Sequence, residues 1–241
     1  MIETDRLKAA ALYSGGKDSN LALWRAMNQG VRVECLISML PESSESWMFH
    51  FPNAAWTTLQ AEAMRIPIVQ VKVSCPVEKE LADLERSILL LKSVFRIDSL
   101  ISGAIESSYQ RQRLADISKR TGVKLITPLW KEDPAQLVEE MLKAGFDIRF
   151  VGVSALGLGE EWLGRRLDRE SWTELQQLSR KYGIHLAGEG GEYETFVCES
   201  PLFKQRIEIT EATKSWSHDS GIFLIEKARL VNRETYPNLV C

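Results

Sequence analysis

Six residues near the amino terminus, Ser14-Gly15-Gly16-Lys17-Asp18-Ser19, have types and spacing suited to handling an anion. They follow the apolar run Ala9 to Tyr13 and precede the helical pattern Leu21 to Met27. A glycine pair between a strand and a helix start lets backbone amides approach a ligand with the helix dipole behind them, so phosphate is the expected guest. A Walker A loop is excluded, because Asp18 rather than Ser or Thr follows Lys17, and no third glycine completes a dinucleotide fingerprint. A carboxylate beside phosphates is repelled unless a divalent cation sits between them, which makes Asp18 the expected metal ligand and Mg²⁺ the expected ion. Ser14 and Ser19 offer hydroxyl donors, and Lys17 a positive charge for a transition state. The plainer alternative is a glycine turn capped by Ser19.

A second group lies far along the chain, in Gly188-Glu189-Gly190-Gly191-Glu192-Tyr193-Glu194-Thr195. Gly190 and Gly191 permit a tight turn, after which Glu192 and Glu194 fall two apart on an incipient strand. Such residues share a face, roughly 7 Å apart at their Cα atoms. With Glu189 they form an acidic patch suited to ammonium, Mg²⁺ or a cationic substrate group, and a solvated acidic loop is the equal alternative. Tyr109, Arg111 and Arg113 follow a strand end, where ligands of α/β proteins gather, so the two arginines read as phosphate or adenine contacts and equally as the wet face of a helix. For Arg113, opposite Leu114 and Ile117, the helix face is the favoured reading. His50, between Phe49 and Phe51, reads equally as a ligand contact and as a hydrogen-bonded structural residue.

The elements that must position these groups alternate through the first half: strands are expected at Lys8–Ser14, Val31–Met39, Ile66–Ser74, Ser99–Ile105 and Lys124–Leu129. Leu81, Leu84, Ile88 and Leu91 recur at steps of three and four, the stripe of a helix that covers the sheet. That order specifies βαβ units on a parallel sheet. Asp133-Pro134 opens a further helix that Gly145 closes, and a strand through Phe146–Val153 follows. From Gly157 periodicity is weak, apart from a helix through Trp172, Leu175, Leu178 and Tyr182, and strands return near Phe203–Thr210 and Gly221–Val231. The change from alternating to mixed order sets a domain boundary near Leu129 to Asp133, giving domains 1–130 and 131–241.

Composition narrows the function classes. Hydrophobic residues make up 44% and charged residues 26%, enough for a sizeable core. Thirty basic against 33 acidic side chains leave a net charge of -3, which disfavours a nucleic-acid partner. No apolar run approaches the roughly 18 residues of a membrane span, and the acidic start Glu3 to Asp5 is unlike a secretory signal, so a cytoplasmic protein is expected. Cys35, Cys75, Cys198 and Cys241 are scattered without a CxxC pair, which argues for buried thiols over zinc or disulfides.

The loop Ser14–Ser19 resembles the SGGxDS loop of the PP-loop ATP pyrophosphatases, and further blocks narrow the resemblance. Met48-Phe49-His50-Phe51-Pro52-Asn53, the stretch Gly103 to Arg111, Pro128-Leu129-Trp130, Gly188 to Thr195 and Pro201-Leu202-Phe203 look like the diphthine-ammonia ligase family, in that family's order. The resemblance implies a Rossmann-like (HUP-type) α/β PP-loop domain with a parallel sheet, followed by a smaller mixed α+β domain. It implies ATP and Mg²⁺ as cofactors, with Ser14, Gly15, Gly16, Lys17, Asp18 and Ser19 on the phosphates, Met39 near the adenine, and Gly103 approaching the nucleotide. Lys17, Asp18, Glu189, Glu192 and Glu194 are then the catalytic candidates, and His50, Tyr109, Arg111, Gly190 and Gly191 the substrate-binding ones. The implied partners are elongation factor 2 in its diphthine form and ammonium, with no membrane; a homodimer is compatible with the sequence. The implied reaction converts a carboxylate to an amide through an acyl-adenylate. Two rivals are a PP-loop enzyme that adenylates a tRNA base, for which paired catalytic cysteines are lacking, and a non-catalytic nucleotide-binding module, which could dispense with Asp18 and the glutamates.

Overall fold

A computed structural model describes residues 7–41, 53–73 and 77–233. Its first half is a parallel sheet. β1 (Lys8–Leu12) leads through α1 (Lys17–Asn28) to β2 (Arg32–Pro41), then through α2 (Thr57–Met64) to β3 (Ile68–Val73). α3 (Val77–Phe95) crosses to β4 (Ser99–Ile101), and α4 (Ser108–Thr121) to β5 (Lys124–Ile126). The order β3-β2-β1-β4-β5 places the first strand in the middle, so successive connections leave β1 in opposite directions. The crevice beyond the carboxyl ends of β1 and β4 is therefore the topological switch point, where open α/β sheets bind ligands.

Alanines let β1 sit deep between two layers. Ala9 and Ala11 pack with α1 and the second half of the chain, while Ala10 packs with Cys35, Ile37, Leu84, Ile88 and Leu91 beneath α3 and α4. Local signals fix the helix ends. Ser107 caps α4 by accepting from Gln110 N–H, and Gly122 ends it at φ 66°. Asp133 and Pro134 start α5 (Pro134–Lys143) as expected. Asp168 and Ser171 form a reciprocal capping box at the start of α6 (Arg169–Tyr182).

The second half is an antiparallel sheet of order β7-β6-β9-β8, from β6 (Asp147–Val153), β7 (Tyr193–Glu199), β8 (Gln205–Ser217) and β9 (Ser220–Asn232). Phe150 lies at its centre, with Trp162 and Tyr193 set edge-on at 5.0 and 5.2 Å between ring centroids. The same buried cluster continues into Ala9, Ala11, Tyr13 and Leu21, so the two sheets share one core.

Two elements escaped or outran the sequence reading for physical reasons, while the weakly periodic stretch after Gly157 is irregular as expected. α2 carries no apolar stripe, because its buried face includes Thr57 and Gln60. The stretch after Gly157 holds a single 3₁₀ turn, Glu160–Trp162. The β8–β9 ribbon runs well past Thr210, where largely exposed residues such as Glu211, Thr213 and Lys214 hide the alternation on which strand recognition depends. Asn53, held at φ 67°, clasps this ribbon: its Nδ2 donates to Phe223 O at 2.9 Å and its Oδ1 accepts from Ile225 N–H at 2.8 Å. Trp56 Nε1 donates to Ile225 O beside it, also at 2.9 Å.

Among the described residues no helix is long and apolar enough to cross a membrane. Cys35 and Cys198 are free buried thiols, and burial pushes both up to about 12, as inert structural cysteines behave. Cys75, Cys241 and His50 lie outside the described residues.

Candidate active site

The loop after β1 turns at Gly15 (φ 85°) and enters α1 at Gly16, a cap residue with no side chain to take the amides beyond Lys17. A first turn without a cap leaves N–H groups for an anion. The Gly15 carbonyl is turned away from that anion site by three donors: Gln60 Nε2 at 2.9 Å, Val197 N–H at 3.1 Å and Asn20 Nδ2 at 3.3 Å. Gln60, fully buried on α2, also donates to Val197 O at 2.8 Å, so α2 and β7 together hold the loop. Beneath it, buried Tyr13 donates to Asn20 Oδ1 at 2.9 Å. The Ser14 and Ser19 hydroxyls are 3.3 Å apart, and Ser19 also donates to Gly16 O at 3.0 Å.

Lys17 is almost fully buried. Its N–H donates to Thr195 Oγ1 at 3.1 Å, and its Nζ donates to Asp18 Oδ2 at 2.8 Å and to Ala187 O at 2.5 Å, above the Tyr193 ring. Burial opposes its charge, yet Asp18, Tyr193 and Glu194 together hold the ammonium above the ordinary lysine value. The other Asp18 oxygen, Oδ1, is buried with no hydrogen-bond partner. An orphaned carboxylate oxygen beside an anion-binding turn is what a divalent cation would occupy. Among the described residues no three His, Cys, Asp or Glu side chains group as a metal cage. One carboxylate completed by phosphate oxygens and water is the coordination Mg²⁺ commonly takes, so the residues fit that ion.

These groups open onto a cavity of about 950 Å³, within the range of small-molecule sites. One wall is the loop, through Ser14, Gly16, Lys17, Asp18 and Ser19, with Gly15 set behind it; another is Ile37 and Met39 at the end of β2; a third is Ser102, Gly103, Ala104, Ser107, Tyr109 and Gln110 after β4. Gly188 to Gly191, with Tyr193, Glu194 and Thr195, close the far side. Gly103 has a further reason to be glycine, since a Cβ there would sit 2.9 Å from the Asp18 carbonyl carbon and 3.0 Å from Ser19 N.

The three glutamates separate. Glu194 faces the cavity, where burial pushes its carboxyl up to about 7; Lys17 opposes the shift while Asp18 and Glu189 add to it. Glu189 is raised by the same combination of burial and the Asp18 charge, and its Oε2 accepts from Glu106 N–H at 3.2 Å. Glu192 turns the other way. Its Oε1 accepts from His185 N–H at 3.0 Å and its Oε2 from Gly190 N–H at 2.9 Å, so it braces the turn rather than lining the cavity. The shared face expected for Glu192 and Glu194 is absent because β7 begins only at Tyr193, after Gly191 turns at φ 82°. Arg111 also lies off the cavity, stacked 4.5 Å over the Trp130 ring, and Arg113 covers the Tyr109 ring at 3.2 Å. Sequence reasoning missed Gln60, Asn20, Thr195 and His185, whose contacts to the site span distant segments or look like ordinary structural polarity.

Comparison with known proteins shows the family. Residues 7–125 match the model of the diphthamide synthase N-terminal domain, and residues 133–231 that of the diphthamide synthase C-terminal domain. A diphthine–ammonia ligase of Rattus norvegicus is 32% identical over 237 residues, covering 90% of this chain and 88% of that protein. The Homo sapiens protein of the same name matches at the same identity and coverage. A Schizosaccharomyces pombe diphthine–ammonia ligase is 34% identical over 234 residues, 89% of this chain and 38% of that longer protein. Two family models in tandem, and identities above 30% over nine-tenths of the chain, place this protein in the diphthamide synthase family.

Proposed function

We propose that this chain is an ATP-dependent ligase that amidates diphthine on elongation factor 2, with ammonium as nitrogen source and AMP and pyrophosphate as products. The observation that carries the reading is that the Ser14–Ser19 loop and the Glu189 and Glu194 carboxylates face one another across a single cavity. A carboxylate is a poor electrophile, and activation gives it a leaving group. The diphthine carboxylate oxygen attacks the α-phosphorus, the bond to the β-phosphate breaks, and pyrophosphate departs into the loop. Ammonia then forms the C–N bond as the C–O bond to AMP breaks.

The residues divide this work. First-turn amides of α1, with the Ser14 and Ser19 hydroxyls, bind the outer phosphates, and Lys17 offsets charge developing on the departing group. Ile37 and Met39 give the adenine an apolar wall, and Gly103 lets the nucleotide lie close to the helix start. Asp18 would hold Mg²⁺ through its free oxygen, and the ion would supply neutralisation of phosphate charge. Ammonia must arrive unprotonated, and Glu194, poised near neutrality, accepts the proton with Glu189 beside it. Gly190 and Gly191 shape the wall that meets the protein substrate, and Tyr109 its rim. The net charge and the lack of paired cysteines favour this reading over a tRNA-modifying one.

Incubation with ATP, Mg²⁺, ammonium and elongation factor 2 in its diphthine form tests the reading. AMP, pyrophosphate and the amide should appear in equal amounts. Formation of ADP, or turnover that needs tRNA instead, would reject it.

A further inference from the structure

His185 lies outside the cavity lining, yet its ring is where three segments of the site meet. Its Nδ1 accepts from the N–H groups of Ala187 at 3.2 Å and Glu189 at 3.3 Å. A ring nitrogen that accepts carries no proton, so the neutral imidazole bears its hydrogen on Nε2, which faces Glu106 Oε2 at 3.3 Å. Glu106 in turn donates its N–H to Glu189 Oε2. The contacts therefore run from Lys17 to the Ala187 carbonyl, through His185 to Glu106, and back to Glu189.

Two backbone bonds close the turn, Gly188 N–H to His185 O at 2.9 Å and Gly191 N–H to Gly188 O at 3.1 Å, and two side-chain acceptors take the amides that these leave. His185 Nδ1 takes the amides of residues 187 and 189, and the Glu192 carboxylate takes those of residues 185 and 190. The turn contains Gly188, Gly190 and Gly191, and glycine gives up the most conformational freedom on ordering. Two backbone bonds alone leave the Ala187, Glu189 and Gly190 amides of such a turn unheld, whereas catalysis needs its groups fixed to within about 1 Å.

We infer that His185 is a positioning residue: by accepting the Ala187 and Glu189 amides, it sets the turn so that the Ala187 carbonyl holds Lys17 and Glu189 meets the cavity. For its activity readout this rests on the ligase reading; its hydrogen-exchange readout does not.

The test compares three variants of the full chain. Asn presents an acceptor near the position of Nδ1 but falls short of Glu106. Gln reaches toward Glu106 without that acceptor, and Ala removes both. For His185→Ala, kcat for AMP formation should fall by about 10- to 100-fold with KM for ATP changed by less than about threefold, the split expected of lost alignment. Exchange at the Ala187 and Glu189 amides should accelerate at least about tenfold. His185→Asn should recover kcat to within about threefold and restore protection, and His185→Gln should not.

An Ala variant that keeps kcat within about twofold of the native enzyme, an Asn variant no better than Gln, or unchanged exchange at both amides would each overturn the inference. If His185→Ala does not fold, the order of Asn against Gln decides. If the native protein itself forms no AMP, the ligase reading fails, and the exchange measurements alone decide the role of His185.

Discussion

The backbone N–H of Lys17 donates to the Oγ1 of Thr195 at 3.1 Å, joining residues 178 positions apart. The first amide of α1 is thus satisfied by a side chain from the antiparallel sheet, and Val197, two residues on, donates to Gly15 O. The Ser14–Ser19 loop is consequently held by both halves of the chain.

Thr195 is buried, so replacing its hydroxyl by a methyl leaves the Lys17 amide without an acceptor at nearly constant volume. Thr195→Val should destabilise the protein by about 1–3 kcal/mol and weaken ATP binding, while Thr195→Ser should retain most of both. Denaturant titration and calorimetry check this, and a Val variant as stable as the native chain would count against the loop's dependence on β7.

Glu194 links stability to pH. Its carboxyl lies near 7 in the folded chain against an ordinary 4.5, so the folded state holds this proton more tightly than the unfolded one. The stability this proton confers is full below the ordinary value and is lost as pH rises through about 7. Measured without metal, Glu194→Gln should match the native protein near pH 4 and become the more stable by about 3 kcal/mol near pH 8. A difference that stays flat with pH would contradict the raised carboxyl. If Glu194 also accepts the ammonium proton, the same variant loses about 10²- to 10⁴-fold in kcat.

Asp18→Asn removes the anionic oxygen that lacks a partner and leaves a side chain of similar shape. Calorimetric titration of ATP with and without Mg²⁺ should show an Mg²⁺-dependent gain in affinity for the native chain and none for the variant. Turnover should drop by about 10²- to 10³-fold. An Asn variant with an undiminished Mg²⁺ effect would remove Asp18 from the metal's ligands.

Gly103→Ala pushes a methyl group into the backbone of Asp18 and Ser19, where no flexible side chain can yield. The start of α1 must shift, at a cost of about 1–3 kcal/mol, and ATP affinity should fall with it. A fluorescent ATP analogue binding the variant as tightly as the native protein would show that the cavity tolerates that shift.

What the sequence conveyed depended on how local each signal was. Ser14 to Ser19 stood out because strand, glycine pair and helix start are contiguous, and strand alternation was legible from Lys8 to Leu129 because each apolar run is short and bounded. Glu192 and Glu194 read alike in sequence, since only the actual start of β7 reveals that one braces the turn and the other faces the cavity. Gln60 was silent for a related reason: its partners, Gly15 and Val197, lie 45 and 137 positions away, and a buried glutamine in a helix with no apolar stripe carries no periodic signature.

The clasp of Asn53 and Trp56 on β9 also bears on how the protein behaves at high concentration. β6 pairs with β9 only at residues 221 and 222, so from residue 223 to Asn232 the backbone of β9 has no strand partner on that side. Such edges recruit strands from other molecules. By occupying the carbonyls of Phe223 and Ile225 and the amide of Ile225, the two side chains imitate a neighbouring strand too short to be extended. They cover the first three residues of that edge, next to the point where β6 ends its pairing.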